Sequence, residues 1–132
     1  METSPINLAL WIGTGLLAVV ALAGGIIKAS TPREKPAASP GGEWTRDAGA
    51  GFVKALGALE ILAAVGLILP AVVDIAPVLV PVTALCWILL MAGAMIVHSR
   101  RSEFRFAALN LIYLALAAFI AWGRLGPESF TG

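Results

Sequence analysis

Apolar positions fall in four long blocks along this chain, and polar positions gather between them. The first block, residues 3–27, runs for 25 residues without a charge. A helix needs about 20 apolar residues to cross the ~30 Å hydrocarbon core of a bilayer. Inside that core every backbone N–H and C=O must bond within the protein, so a helix is the expected spanning element. The blocks and the residues that break them predict helices over 6–28, 51–69, 78–97 and 104–122. Ser4-Pro5 suits a helix start, since proline in the first turn lacks only an N–H that would have no partner anyway. Pro70 is expected to stop the second helix and open a short hairpin through Asp74 to Pro77. Pro81 falls in the first turn of the third helix, and Gly123-Arg124 follows the end of the fourth. The predicted fold class is all-α, a four-transmembrane-helix bundle that makes residues 1–132 a single transmembrane domain.

Between the first two helices the pattern changes. Residues 31–42 read TPREKPAASPGG, with three prolines and no large apolar side chain. Nothing there can pack, so a flexible loop is expected over 30–48. Trp44 is its one aromatic, and tryptophan is at home among lipid headgroups. The first block carries no basic residues ahead of it, unlike a secretory signal peptide, and is expected to stay as an uncleaved helix.

Composition agrees with the pattern: 59% of residues are hydrophobic and 13% charged. A soluble domain is about half apolar and a quarter charged. The net charge of +1 gives no field to attract nucleic acid. With one cysteine, Cys86, and one histidine, neither an internal disulfide nor a His/Cys metal cluster can form. No phosphate-cradling glycine loop, dinucleotide-binding turn or H-E-x-x-H helix is present.

The charges do orient the chain. Lys28, Arg33, Lys35, Arg46, Lys54, Arg100, Arg101 and Arg105 fall on one side, and Arg124 alone on the other. Short basic loops stay cytoplasmic. The expectation is a multi-pass protein of the cell membrane with both termini outside and loops one and three in the cytoplasm. Trp11 and Trp122 then meet the outer interface. A weak echo links residues 57–62, GALEIL, with 107–112, AALNLI. Duplication into two parallel helical hairpins would account for it, and so would the shared abundance of alanine and leucine.

One block holds a carboxylate, Glu60, at its middle. A charge at the centre of a bilayer costs at least ~2.5–3.5 kcal/mol on insertion scales, so its presence calls for a reason. At 3.6 residues per turn Glu60 shares a face with Gly49, Val53, Gly57, Ala64 and Leu67. Small residues on that face mark helix–helix contact in membranes, so Glu60 is expected to face the bundle. Lys54 lies closer to the cytoplasm and about 120° around the helix, out of direct i,i+4 reach. On the fourth helix Asn110 aligns with Glu103, Ala107, Leu114, Ala117 and Ala121, again a stripe of small residues. Asn110 and Glu60 fall within about one turn (5.4 Å) of each other in depth. A hydrogen bond from the Asn110 amide to Glu60 is expected to satisfy both groups. His98 ends the third helix on the face of Trp87, Met91 and Ala94, and Lys28 closes the first helix at the same level. Glu60, Asn110 and His98 are the candidates for ligand binding or proton relay, supported by Lys54, Glu103 and Lys28. The basic side chains also serve as headgroup anchors, and Asn110 as interhelical glue.

Residues 54–70, KALGALEILAAVGLILP, resemble the second-helix signature of the DoxX-like membrane proteins. Residues 91–103, MAGAMIVHSRRSE, resemble the end of that family's third helix, and Trp122-Gly123-Arg124 its close. The resemblance extends from the first helix to Arg124, and the long proline-rich first loop departs from it. It implies a subunit linked to a terminal quinol oxidase, to thiosulfate:quinone oxidoreduction or to redox-stress complexes, or a part in the assembly of membrane channels. Glu60 matches the family's acid on helix two, and His98 and Glu103 match its helix-three boundary. No set of catalytic residues comes with the resemblance.

Three functions remain open on this reading. One is a small subunit of a respiratory or redox membrane complex, touching a quinone through Glu60, Asn110 and His98 and taking electrons from a partner protein. The second is a non-catalytic assembly or accessory protein. The third is a small transporter with Glu60 as proton relay, which would need a homo-oligomer to make room. The expected partners are the lipid bilayer and other membrane or redox subunits, with no nucleic acid.

Overall fold

A computed structural model describes residues 4–30 and 50–130. It contains four helices: α1 (Pro5–Ser30), α2 (Ala50–Val72), α3 (Leu79–Arg100) and α4 (Phe104–Leu125). All four are long and apolar enough to cross a membrane. The predicted all-α four-helix bundle is the observed fold, with no strand among the described residues. The expected loop and Trp44 lie outside the described residues.

All four helices run past their predicted C-terminal ends, while α3 begins one residue later than predicted and α4 where predicted. Ser4 caps α1 by accepting a hydrogen bond from the Asn7 backbone N–H at 3.0 Å, with Pro5 behind it in the first turn. Pro70 does not end α2, which continues to Val72. Proline removes one backbone bond, but here it is buried within the bundle, and packing carries the helix across it. The chain turns before α3 through Asp74 (φ 54°) and Ala76 (φ 49°), both in the left-handed region. A second left-handed residue pair is not needed between α3 and α4, where Ser102 alone (φ 59°) reverses the chain.

The helices form a ring in chain order. Packing is closest within α1–α2 and α3–α4, looser between α2 and α3 and between α1 and α4. α2 and α4 therefore stand across a diagonal. The two closely packed pairs are each sequential in the chain. Leu17, Leu67, Val80, Ala84, Trp87, Met91, Ala117 and Ile120 form the central cluster. On the predicted inner face of α2, Val53, Gly57, Glu60, Ala64 and Leu67 are all inside, and Gly49 lies outside the described residues. Large apolar side chains such as Leu16, Leu62, Leu89 and Ile112 cover the outside. That surface suits lipid, which solvates apolar side chains as well as a protein core does.

Candidate functional site

Glu60 is buried, 5% exposed, and its two carboxylate oxygens both lie 3.1 Å from the Lys28 ammonium. The contact depends on glycine. A Cβ on Gly57 would come 2.7 Å from both the Ala29 nitrogen and the Gly25 carbonyl oxygen, and a Cβ on Gly25 would come 2.7 Å from the Gly57 carbonyl oxygen. Gly24 leaves room for the pair itself, since a Cβ there would lie 3.2 Å from Glu60 Oε2. Backbones of α1 and α2 thus meet where only hydrogen side chains fit, and Lys28 reaches across the seam to Glu60.

This register changes the meaning of the carboxylate. Glu60 is central in its own apolar block and lies level with Gly24, where Lys28 reaches back to it from the last turn of α1. Lys28 keeps 24% of its side chain exposed, and its ammonium turns back one turn along α1, to within 3.6 Å of a Cβ placed on Gly24, to meet the carboxylate. The expected hydrogen bond from Asn110 to Glu60 is not formed. Asn110 is half-buried on α4, across the diagonal, while Glu60 takes its bonds from Lys28. Lys54, as expected, is no partner of Glu60 and is exposed.

His98 belongs to another cluster. It is 8% exposed and its Nδ1 lies 2.9 Å from Glu103 Oε1. Arg101 Nε stands 3.7 Å from the same oxygen. The Glu103 backbone N–H donates to the His98 carbonyl at 2.8 Å, which closes the turn between α3 and α4. Phe106 lies beside the imidazole, ring centroids 5.6 Å apart, and carries the Arg105 guanidinium at 4.9 Å. A groove of about 500 Å³ opens between α3 and α4 nearby, lined by Ala92, Met95, Ile96, Ser99, Arg100 and Leu114. The three polar candidates therefore do not converge. Glu60 locks α1 to α2, His98 closes the α3–α4 turn, and Asn110 lies apart from both.

The opposite end of the bundle holds a site that sequence reasoning passed over. Arg124 was legible only as the lone base on its side, yet it is 4% exposed. Its Nη1 donates to Asn7 Oδ1 at 2.7 Å and to the Glu128 carbonyl oxygen at 2.9 Å. The guanidinium carbon lies 4.1 Å from the centre of the Phe130 ring and 5.5 Å from that of Trp11. Gly123 admits this packing, because a Cβ there would press within 2.5 Å of Leu10. Nε and Nη2 are buried without a hydrogen-bond partner among the described residues. A buried donor left without a partner costs ~1–3 kcal/mol, more when charged. The available signal was the spacing of Asn7 and Trp11, one turn apart on α1, opposite an arginine just inside the last turn of α4.

Among the described residues no cluster of three or more His, Cys, Asp or Glu side chains is placed to hold a metal ion. No curated protein and no solved structure matches the chain. A family model, that of the DoxX-like family, matches residues 12–120. That span takes in all of the Lys28–Glu60 seam and the His98–Glu103 turn, and with four membrane-spanning helices around them the chain is a multi-pass membrane protein that belongs to the DoxX-like family.

Proposed function

We propose that this protein is a small accessory subunit of a larger membrane complex, of the redox class that the family resemblance implies. The observation that carries the reading is the Lys28–Glu60 pair. The one carboxylate inside the spanning helices has both oxygens on a lysine of the neighbouring helix and is enclosed by glycine contacts. Its charge works to hold two helices in register, a use that fits a scaffold. Electron transfer then belongs to a partner that carries the redox cofactors. Gentle extraction followed by mass spectrometry of co-purifying proteins tests this. A partner present in fixed ratio, lost when Gly57→Leu disrupts the seam, is the expected result. A chain that purifies alone and reduces quinone by itself would overturn it.

A quinone-contact reading has one specific support. The groove beside α3 is lined by apolar Ala92, Met95, Ile96 and Leu114 and by Ser99 and Arg100, which carry hydrogen-bond donors. An isoprenoid-like tail along the walls and a carbonyl oxygen near those donors would suit it. Quinone in the purified complex that disappears with Ser99→Ala and Arg100→Ala combined would favour this reading.

The orientation is part of the proposal. Termini outside and loops one and three in the cytoplasm follow from the eight-to-one distribution of bases, at the cell membrane. A cysteine at Ser39, with Cys86 replaced, should resist impermeant thiol reagents in intact cells. Ready labelling there would reverse the orientation.

A further inference from the structure

We infer that the groove beside α3 holds one anionic phospholipid, with its phosphate at Ser99 and Arg100 and an acyl chain along the apolar wall; this goes beyond the subunit reading and stands or falls without it. Three observations meet there. The first is a pair of free donors. Among the helical hydroxyls, those of Thr14, Ser30 and Thr83 each donate to the carbonyl four residues back, on Leu10, Ile26 and Leu79. The Ser99 hydroxyl makes no such bond, and neither it nor the Arg100 side chain has a partner among the described residues. Both residues are exposed and line the groove, so a ligand reaches them directly. A phosphate accepts from a hydroxyl and a guanidinium together.

The second observation is charge. Residues 100–105 carry Arg100, Arg101 and Arg105 against one carboxylate, Glu103. That carboxylate is already engaged, 2.9 Å from His98 Nδ1 and 3.7 Å from Arg101 Nε. The Arg105 guanidinium rests over the Phe106 ring at 4.9 Å. Three arginines against one carboxylate leave the turn positive, and a net-negative headgroup supplies the missing charge. A headgroup with its own ammonium would bring another cation to the same place.

The third is depth. Arg100 ends α3, and Ala92, at the far end of the groove, lies eight residues back. At about 1.5 Å per residue the groove runs about 12 Å from the level of Arg100 toward the bilayer centre. One leaflet contributes about 15 Å of the ~30 Å hydrocarbon core. An acyl chain that starts at a phosphate near Arg100 thus finds apolar wall over most of its leaflet. Ile96, on that wall, is 54% exposed, so the groove opens sideways and a phospholipid enters without leaving the bilayer.

The test uses the full chain in dodecyl maltoside, stripped of lipid by repeated exchange, with native mass spectrometry to count bound lipid. Phosphatidylglycerol and phosphatidylethanolamine with the same chains are titrated separately. The expected result is one phosphatidylglycerol bound saturably, about tenfold tighter than phosphatidylethanolamine. Ser99→Ala combined with Arg100→Gln should bring phosphatidylglycerol down to the level of phosphatidylethanolamine. Ala92→Phe, which fills the groove and keeps both donors, should weaken it as well. Lys54→Gln, which removes an exposed base on another helix, should not. Equal binding of the two lipids overturns the proposal. So does phosphatidylglycerol held undiminished by the double variant or by Ala92→Phe, and so does a drop with Lys54→Gln as large as with the double variant. Tighter binding of decylubiquinone than of phosphatidylglycerol would give the groove to a quinone and overturn it too. Should a variant fail to fold, the comparison of lipids on the unaltered chain still decides.

Discussion

The two ends of the bundle handle a buried charge in opposite ways. At the Lys28 end, cation and anion come from neighbouring helices and meet at 3.1 Å with both carboxylate oxygens engaged. At the Arg124 end, the guanidinium has neutral oxygens on one nitrogen and, among the described residues, no hydrogen-bond partner on the other two. The first arrangement is closed: every strong acceptor of Glu60 already has a donor. The second is sealed but only partly bonded. The contrast therefore separates an ion pair that joins two helices, at the Lys28 end, from a cation held by neutral oxygens and aromatic rings, at the Arg124 end.

The glycine seam gives the largest way to break the Lys28 end. Gly57→Leu must insert a side chain where even a Cβ sits 2.7 Å from backbone atoms of α1. Neither Ala29 nitrogen nor Gly25 oxygen can rotate away, so the helices must part and take Lys28 from Glu60. A loss of about 3 kcal/mol or more is expected, at the upper end for overpacking. Gly93 is the control, since nothing lies within 4 Å of a Cβ placed there. Gly93→Leu should change stability by less than about 1 kcal/mol. Unfolding of both variants by sodium dodecyl sulfate titration in mixed micelles makes the comparison. Equal losses at 57 and 93 would mean that the seam does not hold the bundle.

Removing one charge comes next. Lys28→Met leaves the Glu60 carboxylate buried without its cation, and a loss of about 2–3 kcal/mol is expected, reduced from the full buried-pair value because Lys28 is partly exposed. Glu60→Gln should cost only about 1 kcal/mol, because Lys28 can extend along the surface to water or headgroups. The double variant should be more stable than Lys28→Met alone. The same cycle run between Glu60→Gln and Asn110→Leu should give coupling below about 0.5 kcal/mol, as for sites without shared partners. Strong coupling there and none with Lys28 would exchange the two assignments.

How much of this was legible in the sequence follows from range. Helix existence depends on local apolar content, and all four blocks became helices. The buried face of α2 depends on a 3.6-residue period within one segment, and Val53, Gly57, Glu60, Ala64 and Leu67 all lie inside. The partner of Glu60 depends on the relative height of two helices. Counting from helix ends gave Asn110 comparable depth, but the register of α2 against α1 is set by Gly25 meeting Gly57, and that brings Lys28 to the carboxylate. Pro70 misled for a similar reason, since local chemistry predicts a stop and burial in the bundle overrides it. Arg124 was the hardest to read. A single arginine at a helix end looks like a headgroup anchor until Asn7, Trp11 and Phe130, far away in the chain, are seen around it.

The smallest expected effect concerns the other polar group at the Lys28 end. His98 Nδ1 and Glu103 Oε1 are 2.9 Å apart, but Glu103 also faces Arg101 at 3.7 Å and the turn lies at the surface. Pairs of this kind contribute about 0–1 kcal/mol. Glu103→Gln keeps the shape and one acceptor oxygen but removes the negative charge. It should cost about 0.5 kcal/mol. Thermal unfolding of both proteins, with and without Arg101→Gln, measures this. A loss that vanishes when Arg101→Gln is already present would show that Arg101 is the partner that matters. The turn would then be held by its guanidinium, and His98 would be left to its packing against Phe106.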